Sequence, residues 1–259
     1  MAADEYPTLD PLELDLRQPD GALRAKCASL QAALSPIFAL RHHGCEALCR
    51  RVVAETRERG GVERATEPQL SCELDSPLAD ELRACLDALA LRVLRILTDD
   101  AAPELLAARG ERISGRLSMR VYPPQPTAIA AAPRLGAHCD STLLTFLFAD
   151  RPGLQVLRDA GWTPEQAMAC GLPVPSDALE GAGEPSWANV RGEDGDALLV
   201  TFGREWVARQ AQPDCPAARL PVRSAVLHRV LVPPDGATVA RHSLPFLIDV
   251  RPVAESVES

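Results

Sequence analysis

The spacing of apolar residues changes near residue 112, and this change restricts the fold more than any other feature of the chain. Before it, apolar residues recur at helical steps. In "SPLADELRACLDALALRVLRILTDD" (76–100), Leu78, Leu82, Cys85, Leu86, Leu89, Val93, Ile96 and Leu97 form a stripe at three- and four-residue intervals. Ser76 is placed to cap this helix and Pro77 suits its first position. "DGALRAKCASLQAAL" (20–34) and "CEALCRRVVAETRERG" (45–60) also read as helices, with "PIFAL" (36–40) as one strand between them. After residue 112 the pattern is one of short β-prone runs, "ISGRLSMRVYPP", "LLTFLF", "GLQVL", "ALLVTF", "AVLHRVLV" and "SLPFLIDV", separated by Pro, Gly and Asp. Helices followed by many strands, with no βαβ alternation, imply an α+β fold with a mainly β core: a sandwich or open barrel backed by N-terminal helices. The expected organisation is a single domain over 1–259. Residues 1–111 form a mostly helical support and 112–251 the β core, with an inserted loop at 159–188.

Composition narrows the partners. A formal net charge of −9, with no dense Lys/Arg cluster, excludes a phosphate backbone as a natural ligand. The start, "MAADEYPTLDPLELDL", is acidic where a signal peptide is basic and then apolar, and no run is long enough to span a bilayer, so a soluble cytoplasmic protein is expected. The eight cysteines are scattered through helix- and strand-like segments, which suggests reduced thiols. "HHGCEALC" has some features of a zinc site, but no second ligand pair with finger-like spacing follows, and it reads as helix-start packing.

Chemistry enters at "RLGAHCDSTLLTFLF" (134–148). On a strand, His138 and Asp140 share a face while Cys139 turns away, so two candidate metal ligands stand together at the head of an apolar run. The chain has five histidines, and His228 interrupts the strand-like "VRSAVLHRVLV" much as His138 interrupts its own. Two imidazoles and one carboxylate on a β scaffold match the facial triad of non-haem iron(II), which leaves coordination positions open; Zn²⁺, Mn²⁺ and Co²⁺ suit the same donors. In "RHSLPFLIDV", Arg241 and Ser243 share a strand face and His242 points the other way. A guanidinium and a hydroxyl at the floor of an apolar barrel make a carboxylate receptor, although the stretch alone reads equally as a surface Arg on an edge strand. Tyr122, in "VYPP", can donate to the same carboxylate or simply end a strand.

Together these residues resemble the iron(II)/2-oxoglutarate-dependent dioxygenase superfamily, in its isopenicillin N synthase-like branch. The matching segments, in the family's order, are "IFALRHHG", "RVYPP", "LGAHCDSTLLTFL", "GLQVL", "WANV", "GDALLVTFG", "RSAVLHRVLV" and "RHS", over roughly residues 35–250. The resemblance implies a double-stranded β-helix of the jelly-roll, cupin-like type. It also implies His138, Asp140 and His228 as iron ligands and catalytic centre, Arg241, Ser243 and Tyr122 as 2-oxoglutarate contacts, and His43 as a structural histidine. The implied reaction oxidises a small metabolite of a specialised pathway with O₂, most simply by hydroxylation, and releases succinate and CO₂; ascorbate would serve as reductant in vitro. Asp140 argues against halogenation, since halogenating relatives lack this carboxylate. Arg120 stands where many relatives carry Asn, the 159–188 insertion lengthens the interval between the histidine ligands, and the N-terminal region is shorter than in plant members. Candidate substrate contacts are Arg120, Phe148, Trp162 and Trp206. Two alternatives remain: an iron oxidase of the isopenicillin N synthase type that needs no 2-oxoglutarate, and a catalytically silent protein that binds a small acid.

Overall fold

The computed structural model describes residues 6–28, 37–58, 70–72, 74–100, 102–124, 133–157, 187–193, 195–210, 212, 215–220, 222, 224–231 and 239–253. Most of the expected insertion, and Trp162 within it, lies outside the described residues.

Among the described residues, four helices precede the main run of strands: α1 (Asp20–Cys27), α2 (Glu46–Glu58), α3 (Pro77–Thr98) and α4 (Ala102–Ala108). The longest, α3, starts where the sequence says it should. The Ser76 hydroxyl accepts from the Ala79 backbone N–H at 3.2 Å, Pro77 occupies the first turn, and Asp99 ends the helix in the left-handed region at φ 53°. Its apolar stripe is buried from Leu82 to Leu97 and packs against one face of a large sheet. By the usual cost of large-to-small core changes, truncating Leu86 to Ala would remove about 2–5 kcal/mol.

The strands are β1 (Thr8–Leu9), β2 (Leu12–Asp15), β3 (Ile37–Arg41), β4 (Leu70–Cys72), β5 (Glu111–Leu117), β6 (Met119–Tyr122), β7 (Leu135–His138), β8 (Leu144–Ala149), β9 (Leu154–Leu157), β10 (Trp187–Val190), β11 (Leu198–Phe202), β12 (His228–Val230) and β13 (Arg241–Pro252). A short helix, α5 (Arg204–Gln210), follows β11. The large sheet runs β2-β3-β11-β8-β13-β6-β4, with β5 pairing along the far half of β13; the small sheet runs β1-β10-β9-β12-β7. These two sheets do not close into one barrel among the described strands.

Period-two alternation divides the large sheet into two faces. Leu144, Phe146 and Phe148 of β8, Leu198, Val200 and Phe202 of β11, and Leu244, Phe246 and Ile248 of β13 pack into the helical layer. Their sequence neighbours Thr145, Leu147, Thr201, Ser243, Pro245 and Leu247 turn the other way and line a cavity. Ile37, Ala39 and Leu199 of the large sheet meet Leu154, Val156 and Val190 of the small one in a second apolar cluster, so the layers are helix, large sheet, small sheet. The mainly β core backed by helices is as expected.

Several details differ from the sequence reading. Among the described residues the N-terminal third contributes four strands rather than one, because β1, β2 and β4 are edge strands of two to four residues with no period of their own. "ISGRLSMRVYPP" forms two strands, β5 and β6, both paired with the long β13, and Ser118 between them donates to the Pro245 carbonyl at 3.1 Å. The helices α4 and α5 were not expected. Nor are all the thiols reduced: Cys45 and Cys85 form a disulfide, and Cys139 is disulfide-bonded as well. The first bridge forms because the start of α2 packs on α3, leaving the two Cα atoms 6.5 Å apart, within bridging range. Among the described residues no helix is long and apolar enough to cross a membrane.

Candidate metal centre and anion pocket

His138 ends β7 and His228 begins β12. The antiparallel register pairs these two residues directly, so their rings lie side by side with centroids 4.3 Å apart. Each ring is fixed in the same way, with Nδ1 2.9 Å from the Gly136 carbonyl for His138 and 3.0 Å from the Val226 carbonyl for His228. A carbonyl only accepts, so Nδ1 carries the proton in both rings and Nε2 keeps a free lone pair. Those Nε2 atoms lie 3.7 and 3.9 Å from Asp140 Oδ1, and the three ligand atoms all fall within 4.8 Å of one another. Burial, aided by the neighbouring His228, holds the His138 pKa below its usual value, which keeps the imidazole in the neutral form a metal needs.

Asp140 does not share a strand with His138, contrary to the sequence reading. β7 ends at His138, and Asp140 begins the bend that carries the chain across to β8 in the other sheet. The bend is held by backbone bonds from Arg204 N to the Asp140 carbonyl (2.9 Å) and from Gly203 N to the Leu143 carbonyl (3.1 Å). Gly203 is required there, since a Cβ at that position would lie 2.0 Å from the Thr142 carbonyl oxygen. Thr145 then donates to Asp140 Oδ2 at 2.6 Å, with Thr142 Oγ1 3.0 Å from the Thr145 hydroxyl. This leaves Oδ1 facing the imidazoles. Sequence reasoning missed Thr145; its one signal is a hydroxyl on the inward face of an otherwise apolar strand.

At the other end of the same cavity, β13 and β6 pair Arg241 with Tyr122 and Ser243 with Arg120. The Arg241 side chain is 1% exposed. Its Nε donates to the Arg151 carbonyl at 2.9 Å, its guanidinium lies 5.1 Å from the Tyr122 ring centroid, and Nη2 pairs with Glu193, which is as deeply buried. Glu193 Oε2 in turn accepts from the backbone N–H groups of Gly153 (2.6 Å) and Leu154 (2.7 Å). Burial, the largest single effect, lowers the Arg241 pKa, but the charge and hydrogen bond of Glu193 together with the nearby Tyr122 and Asp150 outweigh it and the net shift is upward. Nη1 is buried with no hydrogen-bond partner among the described residues. Burial pushes the Tyr122 phenol up, so it remains a protonated donor, and it shares a hydrogen bond with Ser243. A buried guanidinium nitrogen, a phenol and a hydroxyl therefore converge on a cavity of about 150 Å³ that also contains the three candidate ligands. Glu193 carries no signal in the sequence, because an acidic residue in a Gly/Asp-rich turn reads as surface.

The other candidates are distributed as follows. Arg120 lines the cavity. Phe148 is in the helical core and Trp206 is fully buried there, donating Nε1–H to the Leu220 carbonyl at 3.2 Å and packing 5.0 Å from Phe202, so neither contacts a cavity ligand. Trp187 stacks on Arg229, centroid 4.1 Å away, rather than lining the cavity. His242 turns away from the cavity, as expected, and is buried with its Nδ1 3.0 Å from Asp150 Oδ2. His43 is buried at the start of α2, where its Nδ1 accepts from the Cys45 N–H at 3.2 Å, and burial pushes its pKa down to about 4.

This fold and donor set define a class: a layered β scaffold presenting a His-Asp-His metal site opposite a buried cationic anion hook. No protein-family model matches the chain, and no curated protein matches it. Solved structures do. JOX2 in complex with 2OG, Fe and JA is 18% identical with a TM-score of 0.64, covering 97% of this chain and 78% of that one. The full-length Neurospora crassa protein bound to alpha-KG and thymine is 15% identical with a TM-score of 0.61, covering 100% and 93%. The dioxygenase for auxin oxidation 1 from Arabidopsis thaliana, as its 2-oxoglutarate complex, is 14% identical with a TM-score of 0.58, covering 92% of each chain. The chain has the fold of iron- and 2-oxoglutarate-dependent oxygenases, the group its sequence resembles.

Proposed function

We propose that this chain is an iron(II)- and 2-oxoglutarate-dependent oxygenase, built on a double-stranded β-helix, that hydroxylates a small metabolite. The observation that carries this reading is the presence of two donor sets in one cavity: neutral Nε2 atoms with a carboxylate at one end, and an unsatisfied guanidinium nitrogen with two hydroxyls at the other. The first set fits a divalent metal, and the second fits the distal carboxylate of a keto acid chelated to it. The ligands named for the similar structures, JA, thymine and 2-oxoglutarate, support a small-molecule substrate.

Bound iron supplies oxygen activation, coupled to decarboxylation of 2-oxoglutarate to succinate and CO₂. The side chains supply position. His138 and His228 offer Nε2 on one side only, because their Nδ1–H groups are tied to backbone carbonyls. Thr145 fixes which Asp140 oxygen faces the metal. Arg241 Nη1–H and the hydroxyl of the Ser243–Tyr122 pair that is not donating to its neighbour can donate to the distal carboxylate, while Leu135, Leu154 and Val230 line the space between.

The test is succinate formation by the Fe(II)-loaded protein against a metabolite panel. Substrate-triggered succinate, abolished by Asp140→Ala, is expected. Oxygen consumption without any need for 2-oxoglutarate would favour an oxidase of the isopenicillin N synthase type, and binding without turnover a silent acid-binding protein.

A further inference from the structure

Two guanidinium groups reach the cavity, and their circumstances differ. Arg241 is fully buried and already has a carboxylate, Glu193, as counter-ion. Arg120 is only partly buried, lines the same cavity, and its guanidinium has no hydrogen bond or ion pair among the described residues. The two are set along one surface. Arg120 and Tyr122 are alternate residues of β6 on the cavity face, and across the ladder Arg120 is opposite Ser243 while Tyr122 is opposite Arg241. Arg241 thus lies at the closed end. Arg120 stands one step toward the opening, close enough for its charge to act on His138, whose side chain is 36% exposed and marks the open side.

The distal carboxylate of a keto acid has two donors at the closed end, Arg241 Nη1–H and the outward proton of the Ser243–Tyr122 hydroxyl pair. Two carboxylate oxygens are satisfied by that set, so Arg120 is left over. An unpaired cation beside a metal centre is costly unless an anion joins it, and the space it faces is the one through which a second molecule must approach the metal.

Building on the oxygenase reading, we propose that Arg120 binds a carboxylate of the molecule to be oxidised, so that the substrates are small organic acids, anchored at the cavity mouth with the reacting carbon extending toward His138, Asp140 and His228. The anchor is Arg120 itself, distinct from the hook that receives the cosubstrate.

The experiment is a calorimetric titration of the full chain with matched probes, phenylacetate against phenylacetamide and hexanoate against hexanamide. It is performed anaerobically with Fe(II) and 2-oxoglutarate, and again without metal. Each carboxylate is expected to bind about tenfold or more tighter than its amide. Arg120→Gln should abolish that preference, and Arg120→Lys should restore part of it. In both variants the thermal midpoint and the affinity for 2-oxoglutarate, followed by the visible band of its iron chelate, should stay at the wild-type value. Equal binding of acids and amides, or no binding of either, would overturn the proposal. So would an Arg120→Gln variant that loses 2-oxoglutarate affinity and keeps the acid preference, since Arg120 would then belong to the cosubstrate. Failure of the chelate band in the wild type, with the acid preference intact and dependent on Arg120, would instead remove the oxygenase reading and leave the acid site standing.

Discussion

Replacing Glu193 with Gln tests how the buried hook is held. In the wild type one carboxylate serves two sets of donors, with Oε1 on Arg241 Nη2 and Oε2 on the N–H groups of Gly153 and Leu154. A carboxamide has one acceptor and one donor end, so in either orientation an N–H faces an N–H. Both side chains of the ion pair are 1% exposed, and water cannot repair the loss. Removing one partner of such a pair costs about 3–5 kcal/mol, because the other charge stays buried and uncompensated. With a urea m-value of about 3 kcal/mol/M, that is a fall in midpoint of roughly 1–1.7 M. Equilibrium urea unfolding followed by tryptophan fluorescence measures it directly. Two controls isolate the cause. The double variant Glu193→Leu/Arg241→Met should be less destabilised than Glu193→Gln alone, because neither charge remains. Glutarate should stabilise Glu193→Gln more than the wild type, since it restores an anion to Arg241. A loss below about 1 kcal/mol, or no added response to glutarate, would refute the argument that Glu193 neutralises the hook.

Other positions give independent outcomes. Thr145→Val removes the hydroxyl that fixes Asp140 and should weaken divalent-metal binding by about tenfold, read by competition with a chromophoric chelator, with little change in melting temperature. Gly203→Ala places a methyl group against the Thr142 carbonyl and should disturb the Asp140 bend, lowering both stability and metal affinity in the same assays. His43 has a folded pKa of about 4 against 6.5 for the free side chain, so the unfolded chain binds the proton more readily between these values and stability is lost as the pH is lowered through that window. From pH 7.5 to 5 this amounts to about 2 kcal/mol, and a His43→Asn variant, which keeps an acceptor for the Cys45 N–H, should lose that pH dependence in urea titrations.

What the sequence made legible was whatever had a local period or a local oddity. The stripe of α3 and its Ser76–Pro77 start were readable because cap, first turn and spacing all agree within one segment. His138 and His228 stood out as polar residues in apolar strands, and Arg241 with Ser243 as polar residues on one strand face; the fold brings all four to one cavity. Features that depend on distant partners were hidden. β1, β2 and β4 exist only because other strands offer them an edge. Cys45 finds Cys85 across 40 residues of sequence, through helix packing that no spacing rule encodes. The position of Asp140 in a crossing bend rather than on the strand follows from bonds to Gly203 and Arg204, and the burial of Glu193 follows from Arg241. Phe148 and Trp206, as aromatic residues, suit either cavity or core, and Trp206 reads more readily as packing; the alternation of β8 and the packing around α5 put both in the core.

The central claim is that His138, Asp140 and His228 hold iron in the same cavity where Arg241 holds 2-oxoglutarate. An anaerobic titration of the metal-free protein with Fe(II), then with 2-oxoglutarate, tests both halves at once through the visible metal-to-ligand charge-transfer band of the chelate. The account predicts a band that saturates at one equivalent per chain, is absent in His228→Ala, and in Arg241→Ala requires much more 2-oxoglutarate. Iron binding with no band, or a band indifferent to Arg241, would contradict it.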